Sequence, residues 1–520
     1  MSGRPVERIL IVGGGSSGWM TAALLHKALG AQCAITVVES PAIGRIGVGE
    51  ATVPSIKAEV FDALGIPEEE WMPACGATYK LGIRFVGWAQ PPGSVGDDFY
   101  HLFGEIPEVQ GVPLTHYWVR KARDGFDVPL ARAAYTAAAL CDHDRSPRML
   151  DGTMVEHYAY HFDAQRLADF LRDWSKARGV RHVEGTVEAV SLDERGWVSG
   201  VKTREGEALA ADLYVDCSGF RSLLLGKALG EPFIDFGDSL LCDRAVAAPV
   251  PHDNDVASLA PYSTATALSA GWVWRIPLVH RTGNGYVYSS RFTSPEAAEA
   301  ELRRHLGPKG AAIEPLHLRM EIGRRVRAWV GNVVGIGLAA GFLEPLESTG
   351  IYFAYAAVHQ LLRHFPDREM DPRLQAGFNE RVAFMVDDVR DFIVLHYVTT
   401  SREDTAFWRA CRHEVAMSES LRATLDLYDA GVPVKRSYSG GRLYEQFDAS
   451  FDRFWSNSNY TAILCGMKRL PERVMPLLAY RASAVEEAER VFAEIAREGA
   501  RRVGALPTQR DFLRGRVARW

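Results

Sequence analysis

One turn near the N-terminus restricts this 520-residue chain more than any other feature. Arg8-Ile9-Leu10-Ile11-Val12 is a short apolar run of the kind that forms a buried parallel strand. Gly13-Gly14-Gly15-Ser16-Ser17-Gly18 follows, a G-x-G-x-x-G. Met20, Ala23, Leu24, Ala28 and Leu29 are then spaced for one buried face of a helix. Ala34-Ile35-Thr36-Val37-Val38 reads as a second strand and ends at Glu39, an acid about 20 residues beyond the turn, as the dinucleotide fingerprint requires. The glycines allow a tight turn and close approach to a pyrophosphate, and the helix start offers it unpaired N–H groups and a positive dipole end. The acid accepts hydrogen bonds from an adenosine ribose. The bland alternative is a glycine-rich strand–helix turn that binds nothing. The full strand–turn–helix–strand–acid order favours dinucleotide binding by Gly13, Gly14, Gly15, Ser16, Ser17, Gly18 and Glu39.

Which dinucleotide is read from later segments. Leu213-Tyr214-Val215-Asp216-Cys217-Ser218-Gly219 and Trp329-Val330-Gly331-Asn332-Val333-Val334-Gly335-Ile336-Gly337 each read as a buried strand opening into glycine. FAD proteins of the glutathione-reductase type return to the flavin in this way. No second complete G-x-G-x-x-G is present for NAD(P)H, so the flavin is expected to arrive already reduced. A net charge of -6 offers no basic field for nucleic acid. No apolar stretch is long enough to span a bilayer, and no signal peptide is evident. The seven scattered cysteines lack any C-x-x-C, which points to reduced thiols in a cytoplasmic protein and to no metal site.

Trp272-Val273-Trp274-Arg275-Ile276-Pro277 reads by itself as a core strand with both indoles on one face, closed by a residue that cannot donate to a ladder. It has company. In chain order come Gly47-Val48-Gly49-Glu50-Ala51-Thr52-Val53-Pro54, Tyr79-Lys80, His101-Leu102-Phe103, the tryptophan hexapeptide, Phe342-Leu343-Glu344-Pro345-Leu346-Glu347-Ser348-Thr349-Gly350-Ile351, and Phe454-Trp455. With the glycine turn, this set resembles the flavin-dependent halogenases of the tryptophan/indole type along nearly the whole chain.

The resemblance implies a FADH2-dependent, two-component enzyme supplied by a separate NAD(P)H-dependent flavin reductase. Oxygen and chloride or bromide would react at the flavin to give hypohalous acid, which travels to a lysine beside an aromatic substrate. Lys80 matches that lysine and Glu347 the glutamate that steadies the cationic intermediate and removes its proton. Thr349 and Gly350 match a halide site of backbone N–H groups. Ser40, Ile43, Ala51, Val187, Leu338, Ser348 and Ile351 match flavin-lining positions. His101, Phe103, Phe454 and Trp455 match aromatic substrate walls, and Tyr444 and Asn459 match further substrate contacts. The strand carrying Trp272 and Trp274 would stand between flavin and substrate. Taken alone, most lysines are surface groups and most aromatic residues are ordinary core.

The chain departs from the family at the segment that holds the amino and carboxylate groups of free tryptophan. Leu443 replaces a tyrosine and Ser450 replaces a glutamate. Loss of that carboxylate removes a charge-assisted bond of about 1.5–3 kcal/mol. The expected substrate is therefore indole or a substituted indole rather than free tryptophan. Two other readings stay open: a halide-independent flavin hydroxylase, and a non-enzymatic FAD-fold binding protein.

The expected fold is α/β, a Rossmann-like FAD-binding body over residues 1–365 with an inserted β-sheet. A mostly helical, substrate-covering region would follow over 366–520. Helices are expected from Glu380 to Tyr397 and from Ala482 to Arg502, and turns at Asp253-Asn254-Asp255 and Gly283-Asn284-Gly285. A homodimer is left open.

Overall fold

The computed structural model describes residues 3–44, 49–252, 259–435 and 454–517. Its organising element is a six-stranded sheet in the order Arg181–Glu184, Ala34–Glu39, Arg8–Val12, Leu213–Asp216, Val333–Gly335, Trp329–Val330. The first five strands are parallel and the last is antiparallel. The α/β class is thus realised as a Rossmann-like sheet, with the glycine turn leaving its central strand. The late segment is not one strand. Trp329–Val330 and Val333–Gly335 form a tight hairpin, because Gly331 takes φ +55° and reverses the chain.

The helix after the glycine turn spans Ser16–Leu29. It is buried on all sides from Gly18 to Leu25, not on one face, because it packs against both Ala164–Lys176 and Gly350–Arg363. Ala28, expected inside, is exposed: the last turn runs clear of these neighbours.

A second, seven-stranded sheet carries the tryptophan strand Gly271–Pro277 near its centre, between Ser263–Ala267 and Arg281–Tyr288. Both faces are covered. Trp272, Trp274 and Ile276 enter the main core, while Val273 packs with Val246, Tyr286 and Leu302 in a smaller cluster. Gly283-Asn284-Gly285 is not a turn but the middle of strand Arg281–Tyr288, paired to Trp274, Arg275 and Ile276. The glycine is there for space: a Cβ on Gly285 would lie 2.0 Å from the Trp274 ring. Asp253-Asn254-Asp255 lies outside the described residues.

Beyond Phe365 the regular elements among the described residues are helices, the long ones at Pro372–Val398 and Ala482–Ala505. The first begins at a true cap, the Asp371 carboxylate accepting from the Arg373 N–H. These helices bury Phe392, Leu395 and Phe492 in the same core as the flavin-type sheet. No helix among the described residues is long and apolar enough to cross a membrane.

Candidate functional site

The glycine turn is shaped by sterics. Gly13 has φ +116°, and a Cβ there would lie 2.2 Å from the Cys217 carbonyl oxygen. At Gly18 it would lie 1.9 Å from the Gly13 carbonyl oxygen. At Gly15 it would meet nothing within 4 Å, so the turn opens to free space beside the leading N–H groups of the helix. The end of strand Val333–Gly335 comes to the same place: a Cβ on Gly337 would lie 2.6 Å from Ser17 Oγ. Glu39 closes the far end, accepting from Trp19 Nε1 at 3.3 Å and facing His182 Nε2 at 3.2 Å. Bare backbone, an open helix start and an acid at a strand end fit FAD.

Other flavin-position candidates surround this cradle. Ser16 Oγ donates to the Ala164 carbonyl, and Ser40 Oγ pairs with Thr186 Oγ1 at 2.6 Å. Val187 and Leu338 are half-buried, Ala51 and Ile351 are buried, and Ile43 is exposed. Gly47 and Val48 lie outside the described residues.

Lys80 ends the short strand Thr78–Lys80 and is fully buried. Its Nζ donates to the Thr52 carbonyl at 2.9 Å and to Ser348 Oγ at 2.8 Å, and sits 5.1 Å above the Phe103 ring. Two of an ammonium's three N–H donors are thereby used, leaving one. Burial drives Lys80 from its ordinary 10.5 down to about 7, with the Glu347 charge pulling the other way.

Glu347 ends a one-turn segment, Pro345–Glu347, and Ser348 follows in the left-handed region at φ +61°. This strained turn aims Glu347 and Ser348 into the same buried space. Glu347 Oε2 faces His101 Nδ1 at 2.9 Å and Oε1 faces His396 Nε2 at 2.8 Å. Burial pushes its carboxyl up, but the two imidazoles, His101 and then His396, outweigh burial and hold it below the ordinary carboxylate range. Thr349 Oγ1 is buried with no partner, and Gly350 opens the helix Gly350–Arg363 with free space at its α-carbon.

The aromatic candidates gather on one side. His101 is 6.3 Å from the Trp455 ring, and Trp455 lies face to face with Phe392 at 3.9 Å. Phe454 stacks on Tyr352 at 4.1 Å. Asn459 is engaged within the chain: its Oδ1 accepts from the Ser456 N–H and hydroxyl, and its Nδ2 meets His101 Nε2 at 2.9 Å. Tyr444, Leu443 and Ser450 lie outside the described residues.

The tryptophan strand is tied in through an acid that sequence reading left without a role. Glu344 Oε2 accepts from Trp272 Nε1 at 2.8 Å and Tyr397 OH at 2.6 Å, and burial lifts its carboxyl to about 7 against those two bonds. Trp272 stands 6.4 Å from Trp88 and from Trp274. His396, Phe392 and Tyr397 were also missed. A signal for His396 was present: it interrupts the apolar run Phe392-Ile393-Val394-Leu395-His396-Tyr397-Val398 inside a helix, where a buried histidine needs partners.

A FAD-type cradle, a buried amine one residue from a buried carboxylate, and an aromatic wall place the chain among known proteins. The tryptophan halogenase family profile matches residues 8–483. Tryptophan 7-halogenase KtzQ of Kutzneria sp. (strain 744) is 44% identical over 528 residues, 99% of each chain. Tryptophan 6-halogenase ThaL of Streptomyces albogriseolus is 43% identical over 522 residues, 98% of each. The crystal structure of tryptophan 6-halogenase SttH from Streptomyces toxytricini superposes with a TM-score of 0.89 at 43% identity, covering 98% of this chain and 100% of that one. With the fold, the FAD cradle and the full length in agreement, the chain belongs to the tryptophan halogenase family of flavin-dependent enzymes.

Proposed function

We propose that the protein halogenates an indole ring with hypohalous acid guided by Lys80 and with Glu347 as the acid–base group. The observation that carries this reading is the bond from Lys80 Nζ to Ser348 Oγ. It joins two segments 268 positions apart and sets a buried amine next to the residue that follows Glu347.

FAD would be held by the Gly13–Gly18 turn, Glu39 and the Gly337 loop; reduced FAD supplies the oxygen activation that turns halide into hypohalous acid. Thr349 and Gly350 offer a hydroxyl and a helix-start N–H to the halide. The remaining Lys80 donor, or the lone pair of its neutral form, orients the oxidant after transfer. Phe103, His101 and Trp455 hold the ring by area and quadrupole contacts. The attacked carbon takes the halogen as the oxygen–halogen bond breaks and gives its proton to Glu347, which passes it to the hydroxide left behind, so that ring C–H and hypohalous acid become ring C–halogen and water. Both Glu347 oxygens retain acceptor sites beside their histidine contacts.

The expectation against free tryptophan has no support from the relatives, which are named as tryptophan 6- and 7-halogenases. Leu443 and Ser450 remain as sequence departures, so the ring is the shared element of the proposal. The described cysteines are free and buried, which supports a reducing, cytoplasmic setting. A separate NAD(P)H-dependent reductase would supply the reduced flavin. The test is a panel of tryptophan, indole and substituted indoles with FAD, a reductase, oxygen and either halide, analysed by mass. Halide-dependent ring substitution is expected; oxygenated product without halide dependence would overturn the reading.

A further inference from the structure

The proton inventory around Glu347 assigns a role to His396. Three titratable groups face Glu347: His101 from strand Asp98–Leu102, His396 from helix Pro372–Val398, and Lys80 from strand Thr78–Lys80. His101 is locked neutral. The Ser456 N–H and hydroxyl both point at Asn459 Oδ1, so the Asn459 amide presents Nδ2 and donates to His101 Nε2. His101 must then carry its proton on Nδ1, where it donates to Glu347 Oε2 at 2.9 Å.

His396 is different. Its Nδ1 lies 2.8 Å from the Phe392 carbonyl oxygen, which can only accept, so Nδ1 bears a proton. Its Nε2 lies 2.8 Å from Glu347 Oε1. A second proton sits in that contact, on the nitrogen or on the oxygen. A buried carboxylate needs a cation in reach, and its own two bonds supply one neutral donor only, from His101. Lys80, the other candidate, gives two of its donors to Thr52 and Ser348. We infer that His396 is an imidazolium and the standing counter-cation of Glu347, so that Lys80 is free to lose its proton while Glu347 stays ionised. His396 is a positioning residue and does not touch the ring in this account.

This rests on the halogenase reading for the purpose of the pair, but not for its protonation. Nitrogen-15 spectra of histidine-labelled protein test it without turnover. Near neutral pH, one buried histidine with both ring nitrogens protonated is expected, lost in His396→Phe, together with a neutral Nδ1–H tautomer lost in His101→Phe. A His396 with one bare nitrogen would overturn the inference. The second measurement is the pH profile of kcat in His396→Gln, which keeps a neutral donor. Activity should fall about tenfold or more, and by no more than the roughly 10²–10⁴-fold worth of an acid–base group. The limb assigned to Lys80 should move to higher pH, because Glu347 then recruits Lys80 as its cation. A fall with an unmoved profile would mean a purely structural histidine and would also overturn it. Absence of halogenation by the wild-type chain sinks the halogenase reading instead and leaves the spectra to decide the pair.

Discussion

Lys80 and Glu347 differ in sign, but burial is the largest single influence on each. For Lys80 it prevails and the amine ends near 7; for Glu347 two imidazoles reverse it. The consequences for stability have opposite directions. Between about 7 and 10.5 the unfolded Lys80 holds more proton than the folded one, so its burden is present at and below neutral pH and is relieved as pH rises through that window. Lys80→Met should therefore abolish halogenation yet raise the urea midpoint at neutral pH, with the gain shrinking towards alkaline pH. A midpoint that drops at all pH values would contradict the buried, partly charged amine. Glu347, held below its ordinary value, contributes stability that is present above 4.5 and is lost as pH falls below it. For turnover, Glu347→Gln keeps the shape but cannot take the ring proton, and kcat should fall by roughly 10²–10⁴-fold while substrate affinity changes little. An affinity loss with kcat preserved would show that the acid only binds.

Among the elements, the tryptophan strand shows best how far sequence could go. Alternation alone put Trp272 and Trp274 on one buried face, and the strand is there. What covers that face was not readable, because it depends on a partner strand whose glycines look like a turn. Gly283-Asn284-Gly285 has turn composition, yet the indole of Trp274 occupies the volume a Gly285 side chain would need. Gly285→Val should cost about 1–3 kcal/mol or more through overpacking, seen as a lower denaturant midpoint at unchanged slope. A neutral effect would show that Trp274 can swing away. The late segment Trp329–Gly337 failed similarly: a single Gly331 at positive φ splits it into a hairpin, and nothing in its apolar pattern marks that. By contrast the opening strand, glycine turn and helix follow local chemistry and form where the sequence placed them, although the helix is buried all round from Gly18 to Leu25 where its spacing pointed to one face.

At the scale of the molecule, the site is assembled from segments far apart in sequence around one shared core. Lys80 and Ser348 were individually readable from short motifs, but their hydrogen bond was not, since it depends on a short strand meeting a strained turn 268 positions away. For His396 the break in an apolar helix run was visible in the sequence, but its partner was not, since Glu347 is brought from 49 positions away. In the proposed reaction Lys80 directs the oxidant and does not take part in making it. The direct measurement is reductase-coupled turnover of wild type and Lys80→Ala with indole or tryptophan, oxygen and bromide, following flavin reoxidation and halogenated product together. Wild type should yield ring-halogenated product, and Lys80→Ala should reoxidise flavin at a similar rate with essentially none. Equal product from Lys80→Ala would show that the oxidant reaches the ring without Lys80.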